Sequence, residues 1–229
     1  MSEPSTISRL REFSARDGVF RRSVCGLLFA AQNAVGGALY RRPPPRGSTL
    51  LNLGSGLSCY PGWINANCYD LHGYATGLET WPEWLLDAGR PWRCPDDHWS
   101  GIFTEHMLEH LSYAQAVTAL SEAFRTLRPG AWLRVVLPDI GRACLVYFGT
   151  ATPPSHAAAM SGPEFISHLT QHWGHRSVWD TALLSRVLLE LGFVEVSPSA
   201  FGESREPQLL KDDPRRREES FYLEARKPL

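Results

Sequence analysis

The sequence predicts an α/β fold, a mostly parallel seven-stranded sheet with helices on both faces, and three observations carry the prediction. From residue 48 onward short apolar runs alternate with helix-length segments, the order that a parallel sheet with crossover helices requires. The first run, Leu50-Leu51-Asn52-Leu53, passes straight into the glycine-bearing turn Gly54-Ser55-Gly56. Ahead of both, Arg41-Arg42-Pro43-Pro44-Pro45-Arg46-Gly47 stops any helix, because consecutive prolines lack N–H donors and hold the chain extended.

Residues 5–40 carry apolar side chains at helical spacing: Ile7, Leu10 and Phe13, then Val19, Val24, Leu27, Leu28, Ala31, Val35 and Leu39. Residues 1–46 therefore read as a helical extension with a proline-rich linker, and 47–229 as the main domain. Strands are expected over 49–53, 63–66, 84–86, 101–104 and 132–137, with two more over 193–196 and 220–225. Between the fourth and fifth, Ser112 suits the cap of a helix whose apolar face is Ala116, Leu120, Ala123, Phe124 and Leu127, and Arg128-Pro129-Gly130 ends it. Asp180 starts another helix, through Leu183, Leu184, Val187, Leu188 and Leu191 to a Gly192 cap. The stretch 140–179 fits none of this regularity. It holds Pro153-Pro154, Pro163 and three histidines, His168, His172 and His175, interleaved with Trp173 and Trp179, and an insertion of that length after the fifth strand reads as a substrate lid.

Hydrophobic residues at 43% with 21% charged exclude a disordered or collagen-like chain. The net charge of -1 is uneven: eight Arg in residues 1–48 face only Glu3, Glu12 and Asp17, giving +5 there and -6 over the remainder. A main domain of that sign repels a phosphate backbone, so no nucleic-acid partner is expected. Five scattered cysteines without a C-x-x-C pair suggest neither a disulfide framework nor a cysteine zinc site, and a cytoplasmic location is the simplest expectation. The apolar stretch from Val24 to Tyr40 contains Gln32, Asn33 and three glycines and is too short and polar to span a bilayer.

Glycines in the turn after the first strand permit positive φ and let a ligand approach bare backbone. The turn is not a P-loop, since no Lys-Ser/Thr follows, and it lacks the third glycine of a dinucleotide fingerprint. Taken alone it is equally a plain tight turn. Further blocks follow in order: Pro61-Gly62-Trp63-Ile64-Asn65-Ala66-Asn67, Asp87, Cys94-Pro95-Asp96-Asp97-His98-Trp99-Ser100, His106-Met107-Leu108-Glu109-His110-Leu111, Leu127-Arg128-Pro129-Gly130-Ala131 and Leu137-Pro138-Asp139. In order and spacing these resemble the class I S-adenosylmethionine-dependent methyltransferases, in particular a small type found beside sugar- and natural-product-modifying enzymes. The resemblance covers roughly residues 48–140 and implies a Rossmann-like sheet, S-adenosylmethionine as cofactor, and methyl transfer to a small-molecule or glycan acceptor. It further implies that Leu53, Gly54, Ser55 and Gly56 hold the methionine half, Asn67 the ribose, and Asp87 with Ala88 the adenine, with Glu105 a further cofactor-binding residue. Asn67 stands where the family has an acid, which removes a charge-assisted bond and makes Asp70 an alternative. Ser100 and Ala131 also depart from the usual Asp and Gly.

His106, Glu109 and His110 sit at i, i+3 and i+4, one face of a helix if the segment is helical. Three readings compete for them. H-x-x-E-H matches a zinc-protease pattern, though here it directly follows a strand. It also resembles the E-x-x-E-H that some methyltransferases use to bind a divalent cation, with a nitrogen donor replacing an oxygen. The reading adopted has no metal: His106 or His110 takes the proton of an acceptor hydroxyl, because an imidazole of ordinary pKa is the suitable base at neutral pH, and His175 is a further candidate for that base or, in the metal reading, for a third ligand. Alternatives of other classes remain: peripheral membrane contact through residues 5–40, serving a lipid-linked saccharide; packing of those helices on a second copy; and a non-catalytic binding protein, suggested by Asn67 and Ser100. The charged run 211–219 reads as a solvated loop.

Overall fold

The computed structural model describes residues 40–68 and 81–229. The expected N-terminal helices (1–39) and Asp70 lie outside the described residues. Among the described residues no helix is long and apolar enough to cross a membrane.

Seven strands form one sheet: β1 Leu50–Leu53, β2 Ile64–Asn67, β3 Trp84–Leu85, β4 Trp99–Glu105, β5 Leu127–Pro138, β6 Val194–Ser199 and β7 Ser220–Arg226. Their order is β3-β2-β1-β4-β5-β7-β6. The pairs from β3 through β5 are parallel, and β7 is antiparallel to both β5 and β6. The chain therefore winds outward from β1 to β3, then returns to the other side of β1 for β4 and β5. This reversal places a crevice at the carboxyl ends of β1 and β4, where open parallel sheets bind ligands.

The fully buried strands read as continuous apolar runs because both sheet faces are covered. Trp84, Trp99, Ile102, Leu133, Val135 and Leu223 are fully or almost fully buried in the main core. Helix α1 (Tyr113–Thr126) begins where expected: Ser112 accepts from Gln115 N, and Gln115 Oε1 accepts from Ser112 N, a capping box. Its buried face is Ala116, Ala119, Leu120 and Ala123. β5 starts at Leu127, so Arg128-Pro129-Gly130 lies inside that strand and not in a separating loop.

The insertion is more regular than its composition suggests. It contains helices α2 (Ile140–Tyr147) and α3 (Gly162–Gln171). Asp139 caps the first by accepting from Gly141 N at 2.9 Å, and Ser161 with Glu164 forms a capping box on the second, Pro163 occupying the first turn where its missing N–H costs nothing. Ala143, Val146, Ala157, Phe165 and Leu169 give these helices a small apolar cluster of their own. Helix α4 (Thr181–Glu190) follows, capped by Asp180, which accepts from Leu183 N at 2.7 Å, and Gly192 ends it with φ +97°.

Candidate active site

The first turn is held from beneath. Asn52, buried inside β1, donates to Asn65 Oδ1 (2.9 Å) and to Ser58 O (2.6 Å), while Gly54 N and Ser55 N both donate to Ala66 O (2.8 and 3.0 Å). The amides at the strand end are thus spent on β2, and the loop beyond is left to face the crevice. Gly54 has φ +79°, and a Cβ there would lie 2.2 Å from Met107 Cγ, so only glycine lets the exit of β4 pack on this turn. Gly56 has φ +47° with open space where its side chain would be. Ser55 is buried, yet its Oγ has no hydrogen-bond partner among the described residues.

Every residue expected to hold a cofactor lies at the carboxyl end of a parallel strand. Leu53 ends β1, Asn67 ends β2, Asp87 and Ala88 follow β3, and Glu105 ends β4. Several carboxyl and amide oxygens already serve their own turns. Asn67 Oδ1 accepts from Cys68 N (2.9 Å); Asp87 Oδ1 accepts from Gly89 N (3.1 Å) and its Oδ2 pairs with Arg90 Nε (2.8 Å). Glu105 Oε1 accepts from Asp213 N at 3.0 Å.

Burial raises the Glu105 carboxyl to about 7, the amide of Asp213 opposing the shift. Because the folded form binds this proton more tightly than the unfolded chain, the contribution of Glu105 is most favourable below about pH 4.5 and is lost as pH rises through about 7. Glu105→Gln is expected to reduce the fall in stability between those pH values; urea unfolding at both ends, with an unchanged slope as the contrary result, checks it.

The histidines do converge. His106 follows β4 with φ +48°, a conformation uncommon for a non-glycine residue, and only a three-residue 3-10 turn, Leu108–His110, comes next. There is thus no α-helix under the motif; the left-handed bend at His106 ahead of the turn brings its ring back toward Glu109, with His106 Nδ1 3.4 Å from Glu109 Oε1. Ser220 Oγ sits 2.7 Å from His106 Nε2. The insertion is drawn onto this turn by Arg176 N and Ser177 N, which donate to Glu109 O (2.7 and 3.1 Å), and by Tyr113 OH, which donates to Val178 O (2.7 Å). His175 is thereby placed with Nε2 3.9 Å from Glu109 Oε1 and its ring edge-on to that of His110.

Together these residues line a cavity of about 200 Å³, closed by Phe165, Leu169, Trp173, Arg216 and Glu219. Desolvation dominates its electrostatics. Burial holds His106 well below the usual imidazole range, brings His110 to about 4 and lowers His168 and His175. It pushes the Glu109 carboxyl up to about 8. The imidazoles are therefore neutral at pH 7, the form that offers a lone pair.

The sequence singles out Glu109 with the histidines as one motif, but it shows neither that Glu109 is the buried member nor what forms the far wall. Arg216 and Glu219 come from the charged run read as solvated; Asp212, whose side chain is 2% exposed, and Asp213 fold it back onto β4 and β5. The alternating signs of 211–219 were the only signal.

No protein-family model matches the chain, and no curated protein matches it. Solved structures with a similar arrangement include S-adenosylmethionine-dependent methyltransferases. Phosphoethanolamine N-methyltransferase 2 of Haemonchus contortus, solved with S-adenosylmethionine, is 14% identical over 86% of this chain with a TM-score of 0.48; the chain spans 53% of that enzyme's length. A methyltransferase from Archaeoglobus fulgidus is 15% identical over 91% of this chain and 98% of its own, with a TM-score of 0.47. A possible histamine N-methyltransferase from Thermotoga maritima is 15% identical over 80% of this chain and 83% of its own, with a TM-score of 0.48. At such identities the likeness concerns the fold, and what the chain does is argued from its own residues.

Proposed function

We propose that this chain transfers a methyl group from S-adenosylmethionine to the hydroxyl of a small-molecule or glycan acceptor. The observation that carries the proposal is the junction of two features at the switch point of the sheet: a bare glycine turn with an orphaned buried hydroxyl at Ser55, and a cavity lined by neutral histidines directly after β4. The turn fits the methionine end of the cofactor, since Ser55 Oγ lacks a partner and Gly56 leaves room for one. Asp87, which follows β3, keeps acceptor lone pairs beyond its bonds to Gly89 N and Arg90, and Asn67 stands at the neighbouring strand end.

When bound, S-adenosylmethionine supplies an electrophilic methyl on a sulfonium, so the protein's part is chiefly alignment. Met107, packed against Gly54, fixes the distance between the turn and the cavity. The histidines' part is the proton. A neutral imidazole at His106, His110 or His175 accepts it from the acceptor hydroxyl, and the buried Phe165 and Leu169 screen that wall of the site from water.

Label transfer from methyl-tritiated S-adenosylmethionine to a panel of saccharides and phenols tests the proposal. His106→Ala and His110→Ala are expected to lower turnover about 10²–10⁴-fold, the usual span for a lost acid–base group, with S-adenosylhomocysteine binding almost unchanged. Full activity in both variants removes the histidines from the chemistry. Oxygens of Asn67 and Asp87 that already serve their own turns favour a second reading, a protein that keeps the fold without turnover; absence of S-adenosylhomocysteine binding by the folded chain would select it.

A further inference from the structure

One large apolar side chain at the cavity is left in solvent. Trp173 lines the cavity and is 73% exposed, whereas Phe165 and Leu169, which also line it, are buried. The backbone that carries it is bent in the left-handed region twice in succession, with φ +59° at Trp173 and +77° at Gly174, and the His110 ring is bonded to the Trp173 backbone. Such a conformation at a bulky residue is strained and persists only where the surroundings fix it. An indole held out in this way beside a concave site gains from being covered on its face, while its N–H can stay in water.

The wall contributed by the charged run is of the opposite character. Arg216 Nη1 donates to Glu219 Oε1 at 2.9 Å, and both side chains line the cavity, the arginine 46% exposed. The two charges cancel each other. With the histidines neutral and the Glu109 carboxyl held un-ionised, the rest of the lining adds no charge at pH 7. An anion would therefore compete with Glu219 for the arginine, and a cation would compete with Arg216 for the carboxylate. What the pair does offer a neutral guest is a donor-only group beside an acceptor-only group.

We propose that the cavity receives one neutral hexopyranosyl ring, whose C–H face stacks on the Trp173 indole and whose hydroxyls bond to Arg216 and Glu219. A pyranose combines the two features that this lining calls for: an apolar face of C–H groups, and a rim of hydroxyls that each donate and accept. A phenol is apolar on both faces and carries one hydroxyl, so it would set ring carbons against polar groups that lose water without gaining a partner. The volume of about 200 Å³, below the ~300–1,000 Å³ of sites for drug-sized ligands, admits a single ring. Trp173, Arg216 and Glu219 are thus specificity-determining residues. The ring's part as acceptor rests on the methyl-transfer reading: one hydroxyl oxygen takes the methyl group, its proton passes to a histidine, and S-adenosylhomocysteine leaves. Binding of the ring does not depend on that reading.

The test is saturation-transfer NMR on the full chain with S-adenosylhomocysteine. The probes are the methyl α- and β-pyranosides of glucose, galactose, mannose and N-acetylglucosamine, set against phenol and benzoate. At least one pyranoside is expected to bind saturably, with the strongest transfer to the C–H groups of one face. Trp173→Ala is expected to weaken that binding at least ~10-fold, as loss of a tryptophan anchor does, and Trp173→Phe to restore most of it. Glu219→Gln is expected to narrow the preference for the pyranoside over its mono-deoxy analogues, a change that a purely structural role would not produce. Trp173 is exposed, so its truncation leaves the fold intact, which circular dichroism checks. Binding by no pyranoside, or pyranoside binding undiminished in Trp173→Ala, overturns the proposal. Pyranoside binding without methyl transfer from S-adenosylmethionine keeps the ring site and removes the methyl-transfer reading; methyl transfer to a phenol with no pyranoside bound does the reverse.

Discussion

Arg134→Leu is expected to cost about 3–5 kcal/mol of folding stability, the penalty for stranding a buried charge by deleting its partner. Arg134 is fully buried in β5. Its guanidinium grips Asp212 through two bonds, Nε to Oδ1 at 2.8 Å and Nη2 to Oδ2 at 2.6 Å, and Nη1 reaches Glu224 Oε1 on β7 at 2.9 Å. Removing it leaves two carboxylates in the interior without a counter-charge. If that imbalance is the cause, adding Asp212→Asn and Glu224→Gln should recover a large part of the loss, so the three substitutions will be strongly non-additive. Urea unfolding measures both; a single-variant loss under about 1 kcal/mol would mean that the cluster is not dry. The consequence reaches the cavity, because Asp212 anchors the loop that carries Arg216 and Glu219.

Gly54→Ala is expected to abolish cofactor binding and to destabilise the fold by more than the ~1 kcal/mol usual for a glycine replaced at positive φ. Two costs combine at this residue: φ of +79°, which an L-residue resists, and a Cβ 2.2 Å from Met107 Cγ. They can be separated. Met107→Gly in the Gly54→Ala background removes both colliding atoms, Cγ and Cβ, but not the backbone strain, so partial recovery of stability is expected. Gly56→Ala, at φ +47° with no neighbour in the way, should fold nearly normally and lose affinity only through the added methyl in the crevice. Equal effects at 54 and 56 would contradict this division.

Legibility followed the range of the interactions. Ser112, Asp180 and Gly192 announce their helix ends because a cap is made within three or four residues of itself. Strands β1 and β4 are visible as runs that both faces bury. The two helices of 140–179 were hidden because Asp139 and Ser161 cap short segments whose apolar partners, Val146, Ala157 and Phe165, lie in separate pieces of the insertion. The site was legible as a list and not as an arrangement. His175 reaches Glu109 only because the amides of 176 and 177 pair with Glu109 O, and His106 meets Ser220 across 114 residues. Neither contact leaves a periodic trace. The centrality of Glu109, flanked in sequence by better-known base candidates, follows from burial alone.

Calorimetric titration of the intact chain with S-adenosylhomocysteine tests the central claim most directly. One site per chain, lost in Gly54→Ala and weakened in Asp87→Ala, is the predicted result. No heat of binding from the wild type, in a sample whose circular dichroism shows it folded, would contradict the claim that the turn after β1 receives an adenosyl sulfonium.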